Sequence, residues 1–131
     1  MIGAACALWL GLGLPVGSAW AQDVPGAKCI AAVHAEFGGV TALRAQCNPG
    51  HDCMYQAPAG NASALALLNS MVGQVETCWL AAGLSMWQEQ REQRGVVRTY
   101  ARPGQTCKLL LSITTGTLAD GYRAACQTAA R

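Results

Sequence analysis

The densest group of chemically capable side chains is the run from Cys47 to Cys53, which reads CNPGHDC. It holds two cysteines, a histidine and a carboxylate around a proline–glycine pair that predicts a turn. An imidazole beside a carboxylate is suited to general acid–base catalysis, so His51 and Asp52 are the candidate catalytic residues. The same groups are also metal ligands, but their spacing follows no pattern that is typical of zinc sites.

Together with Tyr55, this run resembles the active-site motif of the secreted, calcium-dependent phospholipases, in which a cysteine precedes a His-Asp pair and a Cys-Tyr pair follows. The resemblance implies a small hydrolase that uses His51 and Asp52 on phospholipid. In the family one residue separates the aspartate from the cysteine, whereas Cys53 follows Asp52 directly here. The family also carries its pair on a long helix, whereas prolines and glycines predict a loop over residues 48–60. The run therefore favours a closed turn that presents His51, Asp52 and Tyr55 as a recognition surface.

The number of cysteines predicts a disulfide framework. The chain has seven, of which one lies in residues 1–21 and six in residues 22–131. An even set in a small exported domain predicts three disulfides, and therefore neither a metal site nor a cofactor. The sequence leaves the pairing open, although a bond between Cys47 and Cys53 closes the shortest loop. The predicted disulfide cysteines are Cys29, Cys47, Cys53, Cys78, Cys107 and Cys126.

Residues 1–21 predict a cleaved secretory signal peptide. An apolar run is followed by Ala19-Trp20-Ala21, which suits signal peptidase. The run is shorter than the roughly 20 residues of a membrane span, and no second apolar run of that length follows, so we expect no transmembrane segment in the mature chain. No Lys or Arg stands near Met1, which leaves the true start codon open. Residues 22–131 are expected to form one domain in the periplasm or outside the cell.

Charge and aromatic residues indicate where a partner would bind. The formal net charge of +2 is too small to indicate nucleic acid. In a strand, Arg98, Tyr100 and Arg102 share one face, which either contacts an anionic partner or stays solvated and prevents aggregation. Trp87 precedes a polar run, and an exposed tryptophan would mark an interface hot spot.

Hydrophobic periodicity and turn residues divide the rest of the chain into elements. Helices are predicted over residues 27–38, 61–83, 85–94 and from 117 onward, with a short helical piece at 40–46 and a strand over 84–91 as the alternative to the third helix. His34 is expected at the surface or the rim of the first helix. Residues 96–101 and 106–114 predict a hairpin. The predicted fold is a helix-rich, disulfide-stapled α+β domain with a C-terminal β-hairpin packed on helices, and an all-α fold is the alternative.

The sequence contains no complete catalytic constellation. We therefore expect a small exported protein that acts by macromolecular binding, such as an inhibitor, an immunity protein or an envelope accessory protein. Its partner would be another protein of the envelope or the extracellular space. The alternative is the phospholipase-like hydrolase that uses His51 and Asp52, and the oligomeric state stays open.

Overall fold

Two helices pack against one face of a six-stranded antiparallel sheet in the residues that the structure describes, 24–37, 41–47, 53–114 and 116–128. The structure is a computed structural model. The helices are α1 (Pro25–Phe37) and α2 (Ala62–Ala81). The strands are β1 (Arg44–Cys47), β2 (Cys53–Gln56), β3 (Ser85–Glu92), β4 (Gly95–Arg102), β5 (Gln105–Ser112) and β6 (Gly121–Thr128).

The strand order in the sheet is β1-β2-β6-β5-β4-β3, so β1 and β3 are the outer strands. Three successive hairpins build the part from β3 to β6. Pro103 and Gly104 form the tight turn between β4 and β5, where Gly104 has a φ of 84° that favours glycine. The β1–β2 hairpin joins this meander through Tyr55, which lies opposite Tyr122 of β6.

One face of the sheet is covered by the helices and the other is not. Along β5, Gln105, Cys107, Leu109 and Leu111 are buried, and the residues between them are half-buried or exposed. This alternation places the buried set against α1 and α2, on what we call the helix face. The opposite side is the open face. Residues that lie directly opposite one another in neighbouring strands share a face.

The sequence of α2 accounts for its position on the sheet. Asn61 caps its first turn, because its side-chain Oδ1 accepts a hydrogen bond from the backbone N–H of Ala64 at 2.9 Å. The helix ends before Gly83, whose φ of 92° turns the chain towards β3. A stripe of apolar side chains is buried against the sheet, namely Leu68, Met71, Val72, Val75 and Trp79.

The two helices and the sheet meet at Gly26 of α1. Its backbone N–H donates to Oε1 of Gln105 at 2.7 Å, and its carbonyl accepts from Nε1 of Trp79 at 2.9 Å. A Cβ at this position would collide with the Sγ atom of Cys107. The missing side chain therefore lets α1 approach β5 closely, and the buried polar groups of Gln105 and Trp79 find partners there.

Three disulfides confirm the predicted framework. One joins α1 to α2, one closes the β1–β2 hairpin, as the short-loop argument favours, and one joins β5 to β6. The pairs are Cys29–Cys78, Cys47–Cys53 and Cys107–Cys126. The covalent links thus follow the layers of the fold, because each connects elements that already pack together.

The expected helix-rich architecture with a C-terminal hairpin is wrong, and so is the all-α alternative, because a six-stranded sheet forms the core. The segment after Thr117, for which the sequence predicts a helix, instead contains β6. Tyr122, Ala124 and Cys126 are buried at alternate positions there, which is the period of a strand. Alanine and cysteine signal a strand only weakly, so the helical spacing of Leu118 and Tyr122 dominates the sequence pattern.

Three more segments depart from the expectation, and two helices and a hairpin agree with it. Residues 85–94 do not form a helical turn, because Ser85–Glu92 is a strand, which is the alternative prediction. The piece at 40–46 and the loop at 48–60 contain the short strands β1 and β2. Strands of four residues leave little periodicity in a sequence. The structure confirms the helices α1 and α2 and the hairpin of β4 with β5.

Neither helix of the described residues is long and apolar enough to cross a membrane.

The disulfides should differ in their contribution to stability according to the loop that each closes. Replacing Cys29 and Cys78 together by alanine is expected to lower the free energy of unfolding by about 4 kcal/mol, and replacing Cys47 and Cys53 by about 2 kcal/mol. The reason is that the first bond spans 49 positions of the chain and the second spans 6. Urea unfolding followed by circular dichroism measures both. Equal losses would contradict the loop-length argument.

Candidate functional site

The candidate catalytic residues His51 and Asp52 lie outside the described residues, so their geometry does not enter the site. Tyr55, which the sequence predicts to share their recognition surface, is 7% exposed and lies on the helix face. The described residues contain no group of three or more His, Cys, Asp or Glu side chains that could hold a metal ion.

Two strands of the sheet are exposed at every residue, β1 and β3, and β3 is the longer one. Each of its eight residues is exposed, and it pairs with β4 alone among the described strands. Its sequence explains this position, because Gln88 to Glu92 are all polar or charged and have no apolar side chain to bury. The strand is ordered by its ladder to β4 rather than by a hydrophobic face.

Apolar side chains stand at the beginning of this polar strand. Trp87 is 66% exposed, Met86 is 49% exposed, and Leu80 in the last turn of α2 is 57% exposed. The register of β3 on β4 shifts between Met86 and Gln88, so Trp87 lies in a β-bulge. Bulges re-aim side chains at sheet edges. The predicted hot-spot tryptophan is therefore accessible and lies on an outer strand.

A carboxylate of α2 holds the strands behind this edge. Both oxygens of Glu76 accept hydrogen bonds from Nη1 of Arg98, at 3.0 and 2.9 Å, and Oε2 also accepts from the hydroxyl of Tyr100 at 2.6 Å. Burial and the hydrogen bond to Glu76 raise the pKa of Tyr100 above its usual range. Nε of Arg98 donates to Glu89 of β3 at 3.1 Å. Arg98 thus links α2 to the outer strand.

The predicted basic face is used largely inside the fold. Arg98 and Tyr100 are bound to Glu76, and Nη1 of Arg102 donates to the carbonyl oxygen of Ala82 at 2.7 Å. Arg102 therefore ties the end of β4 to the end of α2, although it stays exposed. Of these three residues, Arg98 also contacts β3. Trp87, another residue of the predicted binding set, is 66% exposed and open to a partner.

A second polar cluster lies between α1 and the β2–β6 pair. His34 is half-buried, and its Nε2 is 2.8 Å from the hydroxyl of Tyr122. The ring of Tyr55 contacts His34 edge-on at a centroid distance of 4.9 Å. Burial lowers the pKa of His34 to about 4 and raises that of Tyr122. The sequence gives no sign of this cluster, because His34 and Tyr122 are 88 residues apart.

An open cleft of about 560 Å³ lies at the other outer strand, β1. Arg44, Gln56, Leu118 and Asp120 are among the residues that line it. Oδ2 of Asp120 accepts a hydrogen bond from the backbone N–H of Thr114 at 3.0 Å, so that carboxylate serves the loop before β6.

Comparisons of the chain with protein-family models, with curated proteins and with solved structures find no match.

The carboxylate of Glu76 should contribute strongly to stability. Changing Glu76→Gln is expected to lower the free energy of unfolding by about 2 kcal/mol, because the charge-assisted bonds to Arg98 are lost. Glu92→Gln is the matched control, since Glu92 is exposed and forms no ion pair in the described part of the chain. Its effect should stay within about 0.5 kcal/mol. Chemical denaturation of both variants measures the difference, and equal effects would show that Glu76 is not a structural anchor.

The His34 cluster should make stability depend on pH. The folded chain keeps His34 neutral down to a pKa of about 4, whereas the unfolded chain protonates it near 6.5. Stability from this residue is therefore complete above pH 6.5 and is lost as the pH falls towards 4, by about 2 kcal/mol once residual solvent exposure is allowed for.

The variant His34→Gln isolates this effect, because glutamine retains a hydrogen-bonding group for Tyr122 and does not titrate. As the pH falls from 6.5 to 4, unfolding curves should show the wild-type chain losing stability relative to His34→Gln, by about 2 kcal/mol. A difference that is constant with pH would contradict the assignment.

Proposed function

We propose that this chain is an exported, disulfide-stabilised protein that acts by binding another macromolecule through β3. The observation that carries the proposal is an outer strand of eight exposed residues with a tryptophan that is 66% exposed at its bulge. An outer strand has unpaired backbone N–H and C=O groups, which can pair with an extended segment of a partner. Binding by strand addition would use the unpaired backbone groups for pairing and Trp87 for apolar contact.

Trp87 would contribute much of the binding energy, and the backbone of β3 would align the partner segment. Tryptophan is enriched among residues that dominate binding energy, and covering one completely contributes on the order of 2 kcal/mol or more. Backbone pairing along the strand fixes the register of the partner segment. Met86, the preceding residue, is 49% exposed, so the strand offers apolar side chains at its beginning and polar ones along the rest.

The framework beneath the edge supports a role in recognition. Strand β3 is tied to α2 through Glu89, Arg98 and Glu76, so little ordering cost remains when a partner adds to it. Three disulfides suit a small protein in an oxidising environment. A signal peptide over residues 1–21 would deliver the chain to the periplasm or the medium. An inhibitor, an immunity protein or an envelope accessory protein fits this description.

The hydrolase alternative receives no support from the described residues. Its two side chains, His51 and Asp52, are not among them. Binding through β3 is therefore the function that the geometry favours.

A photo-crosslinking amino acid at position 87 tests the proposal in the producing cells. Trp87 and Leu118 are both apolar and exposed, at 66% and 50%, but Leu118 lies in the loop before β6, which makes it the matched control position. We expect a discrete crosslinked product from position 87 and none of that mass from position 118. Trp87→Ala should weaken binding of the isolated partner by roughly 30-fold. Identical products from both positions, or none from position 87, would overturn the proposal.

A further inference from the structure

We infer that the strand that adds to β3 is β3 of a second copy of this chain, paired antiparallel in one register centred on Gln90. The inference rests on the proposed function and names the partner for the same edge. It follows from the charges of the strand, from the faces on which they lie and from the position of the bulge.

The faces of β3 restrict the registers that are possible. Glu89 lies opposite Arg98, which contacts α2, so Glu89 and Arg91 are on the helix face. Gln88, Gln90 and Glu92 alternate with them and belong to the open face. Two copies related by a two-fold axis through the sheet can pair only residues of the same face. The axis must therefore pass beside one residue of the strand.

The centre at Gln90 is the register that suits the charges. It pairs Glu89 of each copy with Arg91 of the other, and the two Gln90 side chains meet at the axis. A centre at Glu89 or at Arg91 would place like charges directly opposite one another, which is destabilising. The register centred on Gln90 also uses the whole regular stretch from Gln88 to Glu92, which follows the bulge.

The side chains are arranged to form these contacts. The side chain of Arg91 is 73% exposed, and its Nη2 lies 3.1 Å from Oε2 of Glu89 in the same strand. The other oxygen of Glu89 is held by Arg98 at 3.1 Å. The carboxylate of Glu89 is therefore already oriented, and its Oε2 pairs with an exposed cation. In the dimer, Oε2 of Glu89 pairs with Arg91 of the second copy instead of Arg91 of its own strand. Each ion pair within a strand is thus replaced by one between strands, and two such pairs form, one on either side of the axis.

One Trp87 lies at each end of the paired strands. In the same register it comes beside Gln93 of the second copy, in the turn between β3 and β4. Each copy contributes one tryptophan, so two apolar contacts flank the polar centre. Five paired residues and two tryptophans make a small interface, for which an affinity in the micromolar range or weaker is expected.

Cysteine scanning tests the register. Gln90→Cys and Gln88→Cys are matched variants, because both replace an exposed glutamine on the open face of β3. In the proposed dimer the two thiols introduced at position 90 meet at the axis, whereas a thiol introduced at position 88 faces Glu92. We expect Gln90→Cys to form a disulfide-linked dimer faster than Gln88→Cys by roughly ten-fold or more, with the link between the two copies of position 90 identified by peptide mapping. Equal rates, or no linked dimer from Gln90→Cys, would overturn the inference.

A charge exchange gives a second readout that needs no new thiol. Arg91→Glu makes the strand acidic and Glu89→Lys makes it basic, and each variant alone should sediment as a monomer. Their mixture should sediment as a dimer, because both cross-strand pairs are again of opposite charge. Both variants lack the ion pair between residues 89 and 91 of one chain, so recovery in the mixture reports pairing between copies. A mixture that stays monomeric would count against the register and favour the view that these charges protect the edge from association.

The two proposals fail in different ways. If position 87 crosslinks to a different protein while Gln90→Cys forms no linked dimer, binding through β3 stands and the identity of the partner is wrong. If neither position reports a contact, both proposals fall.

Discussion

The close approach of α1 to the sheet at Gly26 is the constraint on which the rest of the structure depends. A glycine without a side chain allows Trp79 to reach the carbonyl and Gln105 to reach the N–H, so two buried polar groups are satisfied at one residue. Trp79 in turn fixes the end of α2, where its carbonyl accepts the N–H of Leu84 at 2.9 Å. The chain leaves that turn as β3. The position of the outer strand is thus set at the helix–helix–sheet junction.

The outer strand β3 has no hydrophobic face of its own, so ion pairs rather than buried apolar area hold it in place. Glu76 and Glu89 hold Arg98 between a helix and an exposed strand. Because the guanidinium side chain is only 26% exposed, these pairs are less screened than ordinary surface pairs. The result is a rigid edge strand that is polar along most of its length and apolar at one end. Such an edge suits association that is specific and reversible, because its contacts carry direction as well as area.

The elements that the sequence predicts well are those with long, regular apolar patterns. The stripe of α2 and the Asn61 cap identify one helix, and Pro103 with Gly104 identifies the β4–β5 turn. The elements that it does not predict depend on contacts between distant residues: β6 is rich in alanine and cysteine, and β3 takes its order from β4. For the candidate site, Trp87 is identified from its polar surroundings. The pairing of Arg98 with Glu76 requires the fold to be known.

The strand order also has a consequence for how the chain is made. The β1–β2 hairpin lies early in the chain but pairs with β6, the last of the described strands. Strand β2, which contains Tyr55, therefore has no second neighbour until β6 with Tyr122 has been made. Contacts between residues so far apart slow folding, because the intervening loop must close first. A chain shortened before β6 would therefore leave Tyr55 without its partner strand and the β1–β2 hairpin separate from the sheet.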